Sequence, residues 1–151
     1  MINMTTIVYK DGIIAYDSQL TQSDVIKCTT FDKHIEREGI HFFIAGSPAD
    51  YDRLIDSWFA GHRIGPEDVI PVACAFVIDS DNIVWGCAFG EDNVFWKSKL
   101  MYDDAIGSGS QFALAAMDMG ASAEEAVKVA AGRDIYTGGL IRVCTLTDFE
   151  K

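Results

Sequence analysis

One tripeptide near the amino terminus constrains the fold more than any other feature. Lys10-Asp11-Gly12 separates two runs rich in β-branched residues, residues 5–9 and 13–17. Asp-Gly suits a tight hairpin loop, in which successive residues need positive φ. The two runs are therefore expected to pair antiparallel at the start of the chain.

Strand and helix signals then alternate along the sequence. Residues 20–30 are polar with little periodicity, and an irregular or bent segment is expected there. A short strand at residues 34–36 and a buried one at 41–45 follow, with Gly39 between them. The first helix is well marked. Ser47 suits the cap, Pro48 the first helical position and Asp50 the first turn. Tyr51, Leu54, Ile55, Trp58 and Phe59 fall on one apolar face, and Gly61 supplies a stop. After a loop through Gly65 and Pro66 come strands at residues 72–78 and 83–88, turning at Ser80-Asp81-Asn82, with a further candidate strand at 94–97. The turn Gly107-Ser108-Gly109-Ser110 opens a helix over residues 111–119, expected to bury Phe112, Ala115, Ala116 and Met119 and to end at Gly120. A capping box, Ser122 with Glu125, starts another that runs through Val127, Ala130 and Ala131 towards Asp134. Gly138 and Gly139 are expected to end it before a strand at residues 140–146. This order reads as α+β, most simply a two-sheet sandwich faced by helices, and as a single domain over residues 1–151.

Composition narrows the function classes. Twelve Lys+Arg against 23 Asp+Glu leave a formal charge of −11, opposite to the clustered basic charge that phosphate backbones require. The longest apolar run, residues 69–78, is broken by Pro71 and flanked by Asp68 and Asp79, too short to span a membrane. MINMTT has neither the basic flank nor the apolar core of a signal peptide. Neither a nucleic-acid nor a membrane partner is expected, and the compartment expected is the cytoplasm. Cys28, Cys74, Cys87 and Cys144 are scattered without metal-ligand spacing and read as packing residues. His34, His41 and His62 form no ligand pattern. No metal or cofactor is expected.

Taken singly, the chemistry-bearing residues are ambiguous. Gly107-x-Gly109 lacks the third glycine of a dinucleotide fingerprint and any Walker lysine, so it reads as a tight turn into a helix. There is no G-x-S-x-G elbow. Asp134 falls in the last turn of its expected helix, where the dipole disfavours a carboxylate. Either Arg133 compensates it or it is placed to hold something. Asp17 at a strand end is either a turn residue or a functional one, and Lys33 reads equally as a surface lysine.

Their order along the chain is more specific. Residues 4–8, MTTIV, are followed by residues 12–21, GIIAYDSQLT, and then by Asp32-Lys33. Ala45-Gly46-Ser47-Pro48-Ala49-Asp50, Ala105-Ile106-Gly107-Ser108-Gly109-Ser110 and Arg133-Asp134-Ile135-Tyr136-Thr137-Gly138-Gly139 come next. Nearly the whole chain thus resembles proteasome β-subunits and the bacterial HslV-type protease, in a short, phage- or prophage-like version. The resemblance implies a four-layer αββα sandwich of two antiparallel sheets. It also implies an N-terminal nucleophile hydrolase that cleaves peptide or other amide bonds, with Thr5 as nucleophile and Lys33 beside it. Asp17 would fix Lys33, the Gly46 N–H would stabilise the oxyanion, and Ser108, Asp134 and Thr137 would orient the threonine. Peptide or protein substrates are implied as partners. A homo-oligomer and an ATPase partner are open expectations that the short chain does not carry over.

Three departures accompany the resemblance. The span from Thr5 to Asp17 is several residues shorter than usual, and a deletion shared evenly between the hairpin strands keeps the inward faces unchanged. Thr5 can act only with a free amine, provided either by a start at Met4 and trimming of that methionine or by removal of Met1 to Met4. The eleven residues 61–71 leave no room for the family's second long helix, expected to be reduced or absent. An unprocessed chain would be a silent relative serving assembly or binding, and a small-substrate amidohydrolase is the remaining alternative.

Overall fold

A computed structural model describes residues 4–60, 73–90 and 94–149. Strands β1 (Ile7–Lys10) and β2 (Ile13–Tyr16) form the expected hairpin. Its loop uses positive φ at both Asp11 (52°) and Gly12 (76°), as a two-residue loop of this hand requires. Residues expected to be irregular instead form a ribbon of β3 (Leu20–Gln22) and β4 (Val25–Cys28). The ribbon escaped the sequence pattern because most of it is exposed, so no apolar alternation marks it.

A second hairpin, β5 (His34–Arg37) and β6 (Ile40–Gly46), turns at Glu38 and Gly39, again both at positive φ. A 3-10 turn at Pro48–Asp50 leads into α1 (Tyr51–Ala60). Antiparallel strands β7 (Ala73–Ile78), β8 (Val84–Phe89) and β9 (Phe95–Lys99) extend the sheet of β5 and β6. The chain then passes through β10 (Asp104–Ile106), α2 (Ser110–Asp118), α3 (Ala123–Ala131) and β11 (Arg142–Thr145), ending in a 3-10 turn at Leu146–Phe149. Among the described residues no helix is long and apolar enough to cross a membrane.

Two sheets face each other, in the orders β10-β1-β2-β11 and β5-β6-β7-β8-β9. Strand alternation divides the interior into three apolar layers. Ile7, Ile14, Tyr16, Phe43, Ala45, Phe76 and Ile78 fill the space between the sheets. Phe42, Ile44, Ala75 and Val77 point the other way, onto α1. Val8, Ala15 and Ala105 turn outward onto α2 and α3. The result is the expected αββα arrangement. The second family helix, the Gly61 stop and the loop at Gly65 and Pro66 fall outside the described residues.

The helices agree with expectation only in part. α1 buries Tyr51, Leu54, Ile55 and Trp58, while Phe59 is 39% exposed beneath the Arg37 guanidinium. α2 buries a different face from the one expected. Ala113 is fully buried and Ala116 and Met117 pack beside it, whereas Phe112 is 41% and Met119 89% exposed. α2 carries apolar residues all round, so periodicity alone does not select a face. α3 has the expected capping box, but it stops at Ala131 with Gly132 as its cap. Asp134 therefore lies beyond the helix rather than in its last turn, and Gly138 and Gly139 have other roles.

Candidate functional site

The first hairpin brings Thr5 and Asp17 together. Ile7 pairs with Tyr16, and the Asp17 N–H donates to the Thr6 carbonyl at 3.2 Å, extending the ladder one step towards the amino terminus. The shortened hairpin thus keeps both residues at one end of the sandwich. Lys33 arrives from the other sheet, just ahead of β5, where its carbonyl accepts from the Ile44 N–H at 3.0 Å. Two bonds fix the approach of that segment: Phe31 N–H to the Ser18 carbonyl at 3.0 Å, and Tyr16 hydroxyl to Asp32 at 2.8 Å.

These three side chains meet in a site almost closed to solvent. Thr5 is 1%, Asp17 0% and Lys33 3% exposed. The Thr5 hydroxyl donates to Asp17 Oδ1 and accepts from Lys33 Nζ, and Lys33 Nζ donates to the same Asp17 oxygen at 2.7 Å. Asp17 is further held by the N–H groups of Thr6 (3.1 Å) and Gly138 (3.0 Å). A buried ammonium needs such a partner. Burial pushes the Lys33 pKa down, and the neighbouring Asp17 charge opposes that shift.

A second layer grips the backbone of Thr5. Its carbonyl accepts from the Gly109 N–H at 3.2 Å and the Ser108 hydroxyl at 3.3 Å. Ser108 and Thr137 hydroxyls each lie 2.6 Å from Asp134 Oδ2, and Thr137 Oγ1 is 2.8 Å from Thr6 Oγ1. Asp134 thus gathers two hydroxyls and the Tyr136 N–H rather than completing a helix. Close approach requires the glycines. At Gly107, with φ +99°, an added Cβ would lie 2.1 Å from the Thr5 carbonyl oxygen. At Gly139, with φ +74°, it would lie 2.3 Å from the Thr29 carbonyl oxygen.

A cleft of about 450 Å³ borders the site, walled by Met4, Leu20, Lys33, Gly46, Ser47 and Tyr51 among others. Gly46 ends β6 with φ +140°, a conformation L side chains rarely adopt. It joins the site as cleft wall. Leu20 lines the cleft, whereas Ala45 is fully buried between the sheets.

Sequence reasoning missed Thr6, Gly109, Gly138 and Gln19, whose amide nitrogen donates to the Ile135 carbonyl at 3.0 Å. Backbone N–H donors leave no residue-type signal, although the Thr-Thr pair did place a second hydroxyl one step on. The histidines, given no chemistry, are not isolated. His34 and His41 lie 2.9 Å apart through ring nitrogens, and His41 stacks on Phe149 at 3.8 Å. His62 falls outside the described residues. Among the described residues no cysteine is joined to another in a disulfide.

No family model and no curated protein matches the sequence. Solved structures do match the fold. The protein called BPH from Thiobacillus denitrificans, in complex with epoxomicin, is 19% identical with a TM-score of 0.64, over 94% of this chain and 98% of that one. The same protein without that compound is 20% identical, also at 0.64. Eukaryotic HslV from Trypanosoma brucei is 18% identical with a TM-score of 0.66, over 93% of this chain and 97% of that one. The chain has the HslV and proteasome type of fold: α+β, with two antiparallel sheets between helices.

Proposed function

We propose that the chain is a threonine hydrolase of peptide or other amide bonds, with Thr5 as an N-terminal nucleophile. The observation that carries this reading is the convergence of Lys33 Nζ and Asp17 Oδ1 on the Thr5 hydroxyl. A threonine hydroxyl is a weak nucleophile until a neighbouring base takes its proton. With Met1 to Met4 removed, the Thr5 α-amine supplies that base, its ordinary pKa of about 7.7–8.0 lying close to working pH. Oγ1 then attacks the substrate carbonyl and the amine receives the hydroxyl proton. The same proton passes to the leaving amine as the amide bond breaks. Water, deprotonated by the same amine, hydrolyses the ester. Lys33 keeps positive charge beside this centre, and Asp17 holds Lys33. The Gly46 N–H is the proposed oxyanion donor, a group of a kind worth about 2.7–4 kcal/mol in the transition state. Ser108, Asp134 and Thr137 hold the Thr5 backbone and act as positioning residues.

A second reading rests on the unprocessed amino terminus. While Met4 is attached, the Thr5 nitrogen is an amide and cannot serve as base; Met4 itself lines the cleft and Thr5 is 1% exposed. A chain that keeps Met4 is a silent binding or assembly protein. Intact mass of protein made from the native gene separates the two: loss of four residues is expected, and retention of Met4 would overturn the hydrolase reading. Epoxomicin, present in the T. denitrificans structure, is the probe of first choice. A chain beginning at Thr5 is expected to gain one adduct mass, and Thr5→Ala none. An adduct persisting in Thr5→Ala would identify another nucleophile.

A further inference from the structure

The wall of the cleft carries a charge that the rest of the chain does not prepare for. The protein as a whole is strongly acidic, at −11. Yet among the described residues lining the cleft the charged side chains are Lys27 and Lys33, with no carboxylate. Lys33 is committed to Asp17 and Thr5. Lys27 is exposed on β4.

Its position follows from a break in the ribbon. Leu20 pairs with Cys28, but Thr21 pairs with Ile26, so Lys27 is the extra residue of a β-bulge. A bulge bends its strand and re-aims the side chain of the unpaired residue. Here Lys27 and Leu20 both line the cleft. Around them Leu20, Pro48 and Tyr51 offer apolar surface, while Thr21, Gln22 and Ser23 offer hydrogen-bonding groups. Such a lining matches a side chain with a short aliphatic stem and an anionic tip.

We infer that Lys27 is a specificity residue, selecting substrates with a glutamate or aspartate on the acyl side of the scissile bond. This rests on the reading of Thr5 as nucleophile. The long-range field of an acidic protein repels acidic peptides, so a cation at the cleft is what permits them to be preferred. Lys27 is exposed, and exposed ion pairs are weak and screened by salt. The preference for Glu over Gln is therefore about three- to fivefold at low salt and smaller at high salt.

The test uses the chain beginning at Thr5 and peptides identical except for Glu, Gln or Lys at single acyl-side positions. The wild type is expected to favour Glu through KM rather than kcat. Lys27→Met should lose the preference, and Lys27→Glu should reverse it towards Lys. The same ranking in all three proteins would overturn the role of Lys27. Binding to Thr5→Ala, followed by fluorescence anisotropy of the same peptides, separates the two ideas. Charge-selective binding that Lys27→Glu reverses, with no cleavage by the intact-nucleophile protein, sinks the hydrolase reading and leaves Lys27 as the selector. Cleavage abolished by Thr5→Ala but blind to peptide charge does the opposite.

Discussion

The two helical layers of the sandwich are built from opposite materials. On the α1 side the packing is aromatic. Phe42 and Trp58 meet edge to face at 6.0 Å, Trp58 and Trp85 at 5.8 Å, and Lys97 Nζ sits 4.0 Å above the Trp58 ring. On the α2–α3 side the buried residues are mostly alanine: Ala15, Ala105, Ala113, Ala123, Ala126 and Ala130 around Val8 and Val127. Rings bury large areas and stabilise through volume. Alanines bury little but let backbones come close. The Thr5 backbone is held beside the alanine layer, where a Cβ on Gly109 would fall 3.0 Å from Ala130 Cβ and 2.0 Å from Thr6 Oγ1. Stability is concentrated on one side and proximity on the other.

Two substitutions attack that division from opposite directions. Phe42→Ala removes a fully buried ring from the aromatic layer and is expected to cost about 3–5 kcal/mol, read as a lowered urea midpoint. On the proposed reading, a chain beginning at Thr5 should still take up epoxomicin in whatever fraction stays folded. Loss of Thr5 reactivity in folded Phe42→Ala would show that the layers are not separate. Gly107→Ala adds one methyl on the other side, against the Thr5 carbonyl and at φ +99°. Overpacking and left-handed strain together set a cost of about 2–4 kcal/mol. Here Thr5 labelling should fall even where circular dichroism reports a folded chain; unchanged labelling would mean that the close approach is not needed.

The same contrast explains how far the sequence could be read. The α1 face was legible because large apolar residues at helical spacing stand out against Asp52 and Asp56. The hairpin at Asp11-Gly12 was legible because its loop needs two positive φ angles and those residues supply them. The α2 face was not, because small side chains next to Phe112, Leu114 and Met119 give no preferred direction. What buries Ala113 is α3 and the outer face of the first sheet, a contact made by residues far apart in the chain. The β3–β4 ribbon and its bulge at Lys27 have the same origin in non-local pairing. Asp134 reads as a helix residue in the sequence because Gly138 and Gly139 look like the stop, whereas the cap is Gly132. The side chains of the site were visible as an ordered set of motifs. Its backbone donors, Gly109 and Gly138, stand inside those motifs, but a glycine's identity does not say that its N–H will donate.

Two serines of equal promise in the sequence give the smallest and sharpest test of the two layers. Ser47 precedes the aromatic-side helix and Ser122 precedes α3. At Ser122 the hydroxyl accepts from the Glu125 N–H at 3.2 Å, and the Glu125 carboxylate accepts from the Ser122 N–H at 2.9 Å. At Ser47 the side chain makes no capping bond, and the Ser47 carbonyl instead accepts from the Asp50 N–H at 2.9 Å. The fixed φ of Pro48 and the tight 3-10 turn start that helix without the hydroxyl. Ser122→Ala is therefore expected to cost about 1 kcal/mol, and Ser47→Ala less than about 0.5 kcal/mol. The cap also has a pH signature. The bonds from Ser122 hold the Glu125 carboxyl below its ordinary value. A carboxyl lowered by folding stabilises the folded state fully above its unfolded pKa, about 4.3 for Glu, and loses that contribution as pH falls through the folded value. The deficit of Glu125→Ala against the wild type should accordingly be largest near neutral pH and shrink below about pH 4. Equal losses for Ser47→Ala and Ser122→Ala would show that the aromatic layer leans on its cap as much as the alanine layer does. Near-zero loss at Ser47 alone would locate the entry to α1 in Pro48 and in the burial of Tyr51, Leu54 and Ile55.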